Sequence, residues 1–271
     1  RICEYFSGRD GYEAVGVTHR ELDIEDFVAV SAFVKAIRPD YVLHCAAISN
    51  TGACERNPVL SEKVNVRGTV NLAKACRKAG SRMIFTSSDQ IYNTSHSLEP
   101  NREGSEGKPG NVYGRDKKRA EEAMLTYLPD AVALRLTWLY DAPSRGRVAG
   151  QGLLQKLTDA LKERREVEFP VHDYRGITYV WEVVRHLEEA MGLPGGVYNF
   201  GSENRYNTFD TARLFLRELA GSDSGSILKC NDERFASCPR NLTMNTDKIR
   251  SHGIRFFNTS EGIRKCCLEH R

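Results

Sequence analysis

Apolar positions along the chain fall into two alternating patterns. Short runs with little polar content stand at Tyr41-Val-Leu-His-Cys-Ala-Ala47, Arg82-Met-Ile-Phe-Thr-Ser87 and Ala131-Val-Ala-Leu-Arg-Leu136. Runs of that length and make-up predict strands with both faces covered. Between them apolar residues recur at helical spacing. One such stretch runs from Ile24 to Ile37 and stops at Pro39, a second from Ser61 to Ala79 stops at Gly80, and a third spans Tyr113 to Tyr127. Glu13-Ala-Val-Gly-Val17 predicts a further strand ahead of the Ile24 helix. Strands and helices in alternation imply a parallel sheet with helices on both faces.

After Tyr140 the pattern changes. Helices are predicted over residues 151–164, 179–191, 208–220, 246–251 and 260–269, with short strands over 166–171 and 196–200. The expected fold is therefore α/β: a Rossmann-like, doubly wound parallel sheet over residues 1–140, and a smaller α/β lobe over most of 141–271, some of whose elements return to the main sheet. The front departs from that plan. A doubly wound domain opens with an apolar strand, a glycine-rich turn and a helix. Here Arg1-Ile-Cys-Glu-Tyr-Phe6 already reads as the back half of that helix, followed by a turn from Ser7 to Gly11. The expectation is that the first strand and the phosphate-binding glycines are missing, which leaves the two strands flanking that place without a partner.

Composition narrows the function. The 271 residues include 39 basic and 36 acidic side chains, a net charge of +3 that calls for neither nucleic acid nor membrane. The run Lys162-Glu-Arg-Arg-Glu166 mixes signs and reads as a solvated helix end. No apolar stretch approaches the ~18 residues of a membrane span. The eight cysteines form no Cys-x-x-Cys pair, and Cys266-Cys267 is poor metal spacing. These features predict reduced thiols and a cytoplasmic protein. No His/Asp/Glu cluster at ligand spacing argues for a metal.

The candidate chemistry lies in Tyr113-Gly-Arg-Asp-Lys117 and in Ser88, 25 positions upstream. A Tyr and a Lys four apart share one helix face. A nearby ammonium lowers a phenol pKa, and a hydroxyl so tuned can exchange a proton with a carbonyl oxygen. Ser88, at the carboxyl end of a predicted strand, can hold that oxygen in place. Ligands of open α/β sheets sit at such strand ends. The constellation predicts hydride transfer at a carbonyl carbon. After the Glu13–Val17 segment stands Thr18-His19-Arg20, with no acid before Glu21. An acid there selects NAD through the 2′-hydroxyl, whereas Arg20 can fork onto the 2′-phosphate of NADP. The expected cofactor is NADPH, with NADH also admitted.

The segments Thr86-Ser-Ser-Asp-Gln-Ile-Tyr92 and Tyr113-Gly-Arg-Asp-Lys-Lys-Arg-Ala-Glu121 resemble the extended short-chain dehydrogenase/reductase superfamily. More narrowly, the chain is similar to the dTDP-4-dehydrorhamnose reductase family. Further matching segments are Ile37 to Ala47, Val64 to Ala73, Arg135 to Tyr140, Arg175 to Val180 and Pro239-Arg-Asn241. The resemblance implies roles residue by residue. Tyr113 donates the proton, Lys117 binds the nicotinamide ribose, and Ser88 orients the carbonyl. Thr18, His19, Arg20, Asp23, Ile24, Ala46, Ala47 and Ser87 join Tyr113 and Lys117 at the cofactor, with Asp23 and Ile24 beside the adenine. Asn65 braces the strand–helix geometry. Ser88, Asp89, Trp138 and Arg175 meet the substrate, a 4-keto sugar on a nucleoside diphosphate, under the C-terminal lobe. A homodimer is compatible with this family.

Three departures from the family stand out. Gln90 occupies a place often held by an aromatic residue, Asn93-Thr94 replaces Asp-Gly, and Ile48 to Arg56 lacks the acidic, lysine-containing segment of the rhamnose enzyme. Two other readings stay open from sequence. One is a non-catalytic, NADP-binding regulator resembling the regulatory subunit of methionine adenosyltransferase. The other is a nucleotide-sugar epimerase or dehydratase, although Asp89-Gln90 lacks the second acid that dehydratases carry.

Overall fold

The structure is a computed structural model that describes residues 1–141, 152–220 and 227–269. The chain divides into two compact units. The first holds Arg1–Thr94, Glu103–Leu136 and Val184–Asn199; the second holds Ser95–Arg102, Thr137–Val183 and Phe200–Arg271. The expectation is a division at 140/141; the chain passes from one unit to the other after Leu136, the stretch Val184–Asn199 belongs to the first unit, and the eight-residue loop Ser95–Arg102 belongs to the second.

The first unit opens with α1 (Ile2–Ser7) and α2 (Phe27–Ile37), then β1 (Tyr41–His44), α3 (Thr51–Arg56), α4 (Pro58–Glu62) and α5 (Thr69–Ala79). It continues with β2 (Arg82–Ser88), α6 (Val112–Tyr127) and β3 (Val132–Leu136). Helix α2 begins three residues later than the spacing predicts. Asp26 caps it, accepting from the amides of Val28 and Ala29. Gly80, at φ 76°, ends α5 in the left-handed region that favours glycine. The predicted Ser61–Ala79 helix is real but carries one wide π turn, Lys63–Gly68, between α4 and α5.

The chain then forms β4 (Trp138–Tyr140), α7 (Leu153–Glu163), β5 (Val167–Pro170), β6 (Asp173–Arg175), β7 (Ile177–Tyr179), α8 (Val180–Arg185), α9 (Leu187–Met191) and β8 (Gly196–Phe200). It closes with α10 (Thr208–Ala220), β9 (Leu228–Asn231), β10 (Arg240–Leu242), α11 (Asp247–Ser251) and α12 (Thr259–Glu269). The main sheet has the order β1-β2-β3-β8, with β1/β2 and β2/β3 parallel. Its core in the first unit joins Val30 and Val34 of α2, Leu72 and Cys76 of α5, Met83 and Phe85 of β2, and Ala120 and Met124 of α6. In the second unit, β4/β7, β5/β9 and β6/β10 pair as two-stranded parallel ribbons. Leu157, Tyr179, Phe215 and Ile263 lie in that unit's core.

Two expectations need correction. Glu13–Val17 is not a strand: the segment is irregular, and Val15 and Val17 are exposed. A strand exists only in a ladder, and these residues have no ladder partner among the described residues. The predicted helix over 179–191 is two helices, because the chain breaks at His186 between α8 and α9.

Candidate active site

The parallel register of β1 and β2 sets His44 against Phe85, so the carboxyl ends of both strands emerge on one edge. From β1 that edge receives Ala46, exposed, and Ala47, half-buried. From β2 it receives Ser87, buried to 4% exposure, and Ser88. Beyond Ser88 the chain winds into a 3₁₀ turn, Asp89–Tyr92, capped by the Ser88 hydroxyl, which accepts from the Gln90 amide at 3.2 Å. Ser88 Oγ in turn donates to Asp89 Oδ1 at 3.3 Å.

Helix α6 brings its first turn against that 3₁₀ turn. Asn111 caps the helix, accepting from the Gly114 amide at 2.7 Å, and Glu55 accepts from Val112 N at 2.6 Å. Tyr113, 8% exposed, packs with Cys54, Val112 and Ile48. The Ser88 hydroxyl lies near enough to the phenol to lower its pKa in part. One helical turn on, Lys117 is 2% exposed. Its ammonium donates to the Thr86 carbonyl at 2.7 Å and stands 4.3 Å from the centroid of Phe85 and 5.7 Å from that of Tyr113. Ser88, Tyr113 and Lys117 thus lie within one unit.

The electrostatics correct one expectation. Burial pushes the Tyr113 phenol well above its ordinary pKa, and the nearby Ser88 hydroxyl recovers only part of that rise. The phenol is not lowered by Lys117, because desolvation outweighs an ammonium at ring-contact distance. Burial also acts on Lys117 itself, whose pKa falls from 10.5 to about 8. No carboxylate stands within ion-pair distance of it among the described residues. Behind Phe85, His44 stacks at 5.3 Å between centroids, with Nε2 3.0 Å from the Thr69 hydroxyl. Burial first, and Lys117 second, lower its pKa to about 3, so it is neutral.

Asn65 lies in the π turn. Its side chain clasps the backbone of Ile48, accepting from the amide at 2.8 Å and donating to the carbonyl at 3.1 Å. That clasp fixes the loop after Ala47. Thr18, His19 and Arg20 form an exposed turn. Thr18 donates to Glu21 Oε2 through both its amide and its hydroxyl, at 2.7 Å each. An acid therefore does fold into this turn. Thr18-x-x-Glu21 has the capping-box pattern, a signal present in the sequence. Asp23 is exposed and accepts from the Glu25 amide, while half-buried Ile24 packs against Gly68. Trp138 and Arg175 belong to the second unit. There the Arg175 guanidinium lies 4.9 Å over the Trp138 ring. No cluster of three or more His, Cys, Asp or Glu suited to a metal occurs among the described residues.

A parallel α/β sheet that gathers Ser, Tyr and Lys at its carboxyl edge is the arrangement of the short-chain dehydrogenase/reductase class. Within that class the chain belongs to the RmlD substrate binding domain family, whose sequence model matches residues 4–270. It is 30% identical over 246 residues to a dTDP-4-keto-6-deoxy-D-glucose reductase of Streptomyces niveus, covering 89% of this chain and 82% of that one. It is 32% identical over 257 residues to methionine adenosyltransferase 2 subunit beta of Xenopus tropicalis, covering 90% and 74%. Its fold matches the crystal structure of dTDP-4-dehydrorhamnose reductase from Bacillus anthracis in complex with NADP, with TM-score 0.84, 22% identity and coverage of 96% and 91%.

Proposed function

We propose that the chain reduces the 4-keto group of a deoxythymidine-diphosphate 6-deoxy sugar, drawing its hydride from NADPH. One observation carries the reading: the Tyr113 phenol stands beside Ser88 at the same sheet edge that buries Lys117. The residues present fit the cofactor's nicotinamide end. Ser87 Oγ is buried without a hydrogen-bond partner, and Lys117 holds a buried charge against a single carbonyl. Both suit the hydroxyls and amide of a nicotinamide riboside. Arg20, in its exposed turn, is the cation we assign to a 2′-phosphate, and Ala46 and Ala47 are the small residues we assign to the cofactor cleft.

When bound, NADPH supplies the hydride to the carbonyl carbon. The chain supplies the rest. Ser88 turns its one hydroxyl proton from Asp89 to the carbonyl oxygen and holds it beside Tyr113. The raised phenol pKa keeps the Tyr113 proton in place at neutral pH, where a reduction needs a donor. Lys117, with a pKa of about 8, is charged about ten to one at pH 7 and stabilises the phenolate left behind. Trp138 and Arg175 are assigned to the sugar nucleotide, as a flat apolar face and a diphosphate-binding cation. A cytoplasmic setting suits this chemistry and eight cysteines that form no disulfide.

The likeness to a methionine adenosyltransferase subunit does not move this reading, because the trio is assembled for chemistry. A dehydratase reading lacks its second acid, since Gln90 stands there with its amide bound to Asn111, and an epimerase reading needs a bound NAD that the Thr18-His19-Arg20 turn does not favour. The test is NADPH oxidation followed against a panel of 4-keto sugar nucleotides. Turnover with a deoxythymidine-diphosphate 4-keto-6-deoxy sugar is the expected result. Wild-type turnover no faster than that of Tyr113→Phe overturns the proposal.

A further inference from the structure

Gln90 joins the two halves of the site. Its Nε2 donates to Asp89 Oδ1 at 3.4 Å, and its Oε1 accepts from Asn111 Nδ2 at 3.0 Å. Asn111 Oδ1 then caps Gly114 N, one residue past Tyr113. On the other side, Asp89 Oδ1 accepts from the Ser88 hydroxyl. The direction of the amide is fixed by its neighbours. A carboxylate only accepts, so Nε2 must face Asp89, and Oε1 is left for the Asn111 amide. The chain of bonds runs from the serine that orients the carbonyl, through Gln90, to the cap of the helix that carries the phenol.

We infer that Gln90 is a positioning residue that holds Ser88 and Tyr113 in register. The inference rests on the assignment of Tyr113 as proton donor. Without the bridge, the 3₁₀ turn and the first turn of α6 keep their separate backbone bonds but lose the Gln90–Asn111 side-chain tie between them. A carboxylate at position 90 cannot serve. It would face Asp89 as a second acceptor and repel it, until it binds a proton and becomes a donor again.

The test uses the full chain with tyrosines labelled at Cζ, the Tyr113 resonance being assigned by its loss in Tyr113→Phe. In Gln90→Ala the resonance is expected to move, and kcat to fall about tenfold, the scale on which small displacements of reacting groups act. The KM for NADPH should stay within about twofold, since ground-state binding is untouched. In Gln90→Glu the resonance is expected to be displaced at high pH and to return to its wild-type position as the pH falls and the new carboxyl is protonated. That second variant decides the matter if Gln90→Ala folds poorly. An unmoved Tyr113 resonance in both variants, or kcat within about twofold of wild type, overturns the inference. A wild-type chain that turns over no keto sugar nucleotide sinks the proposed activity instead, and the resonance still decides the role of Gln90.

Discussion

Gly114 faces the backbone carbonyl of Gln90 so closely that a β-carbon on it would stand 2.4 Å from the oxygen and 2.8 Å from Pro109 Cβ. The first turn of α6 lies on the 3₁₀ turn with no room for a side chain, and this contact brings Tyr113 to Ser88. Backbone cannot swing aside as a side chain can. Gly114→Ala should therefore cost about 1–3 kcal/mol of stability, as overpacking does, and should lower turnover by separating phenol from serine. Gly52→Ala is the control. A β-carbon there meets its nearest neighbours at an ordinary 3.4 Å, and the gain in helix propensity makes it neutral or mildly stabilising. Denaturant midpoints of the two variants, read side by side, check the contrast.

Tyr113→Phe removes the proton donor and leaves the ring in its pocket with Cys54 and Val112. Turnover should fall by about 10²–10⁴, the range for loss of a general acid, with affinity for NADPH nearly unchanged. Single-turnover kinetics and a direct binding titration give the two numbers. Retained turnover would remove Tyr113 from the mechanism.

The parts of this fold legible in sequence are those whose signal is local. Strands β2 and β3 show as short apolar runs, α6 as a helical period, and the end of α5 as Gly80. Glu13–Val17 carries the same strand signal and fails, because pairing depends on a neighbour outside its own window. Ribbons such as β4/β7, three residues a side, are too short for any period to register. The site divides the same way. Tyr113, Lys117 and Ser88 are legible because i,i+4 spacing and a strand end are sequence properties. The Gln90–Asn111 bond spans a 20-residue loop, and the Phe85 ring between His44 and Lys117 depends on the strand register, so neither has a signal in one dimension. The direction of the Tyr113 pKa is hidden from sequence for a related reason: spacing reveals the ammonium but not how dry the pocket is.

Lys117→Met should stabilise the folded chain while abolishing cofactor use. The folded pKa of Lys117, about 8, lies below its ordinary 10.5. Below pH 8 both states hold the proton, and the folded state bears the full cost of a buried charge. Between pH 8 and 10.5 the unfolded chain binds more protons than the folded one, so stability rises with pH across that window. The difference corresponds to about 3 kcal/mol on the linkage scale. Methionine keeps the stem and removes the charge. Its melting temperature should exceed that of the wild type at pH 7, with the gap closing toward pH 10. A lower melting temperature at pH 7 would show that the Thr86 and Phe85 contacts outweigh the burial cost.

Arg135 and Glu121 test the frame behind the site. They are 6% and 2% exposed, and Arg135 meets Glu121 through Nε at 3.0 Å and through Nη2 at 2.7 Å. The second arm of the guanidinium donates to the Tyr92 hydroxyl at 2.6 Å, which itself donates to Asn199 Oδ1 at 2.8 Å. The pair links α6 to β3 one turn beyond Lys117, and Glu121 also favours the charged form of Lys117. Glu121→Ala leaves a guanidinium buried without its counter-charge and should cost about 3–5 kcal/mol, as broken buried pairs do. Glu121→Leu combined with Arg135→Met removes both charges and should recover much of that loss. Turnover should not recover with it, since Tyr92 then has no arginine to hold and Lys117 has lost a charge that keeps it protonated. A double variant as unstable as Glu121→Ala would instead place the energy in the packing of the two stems.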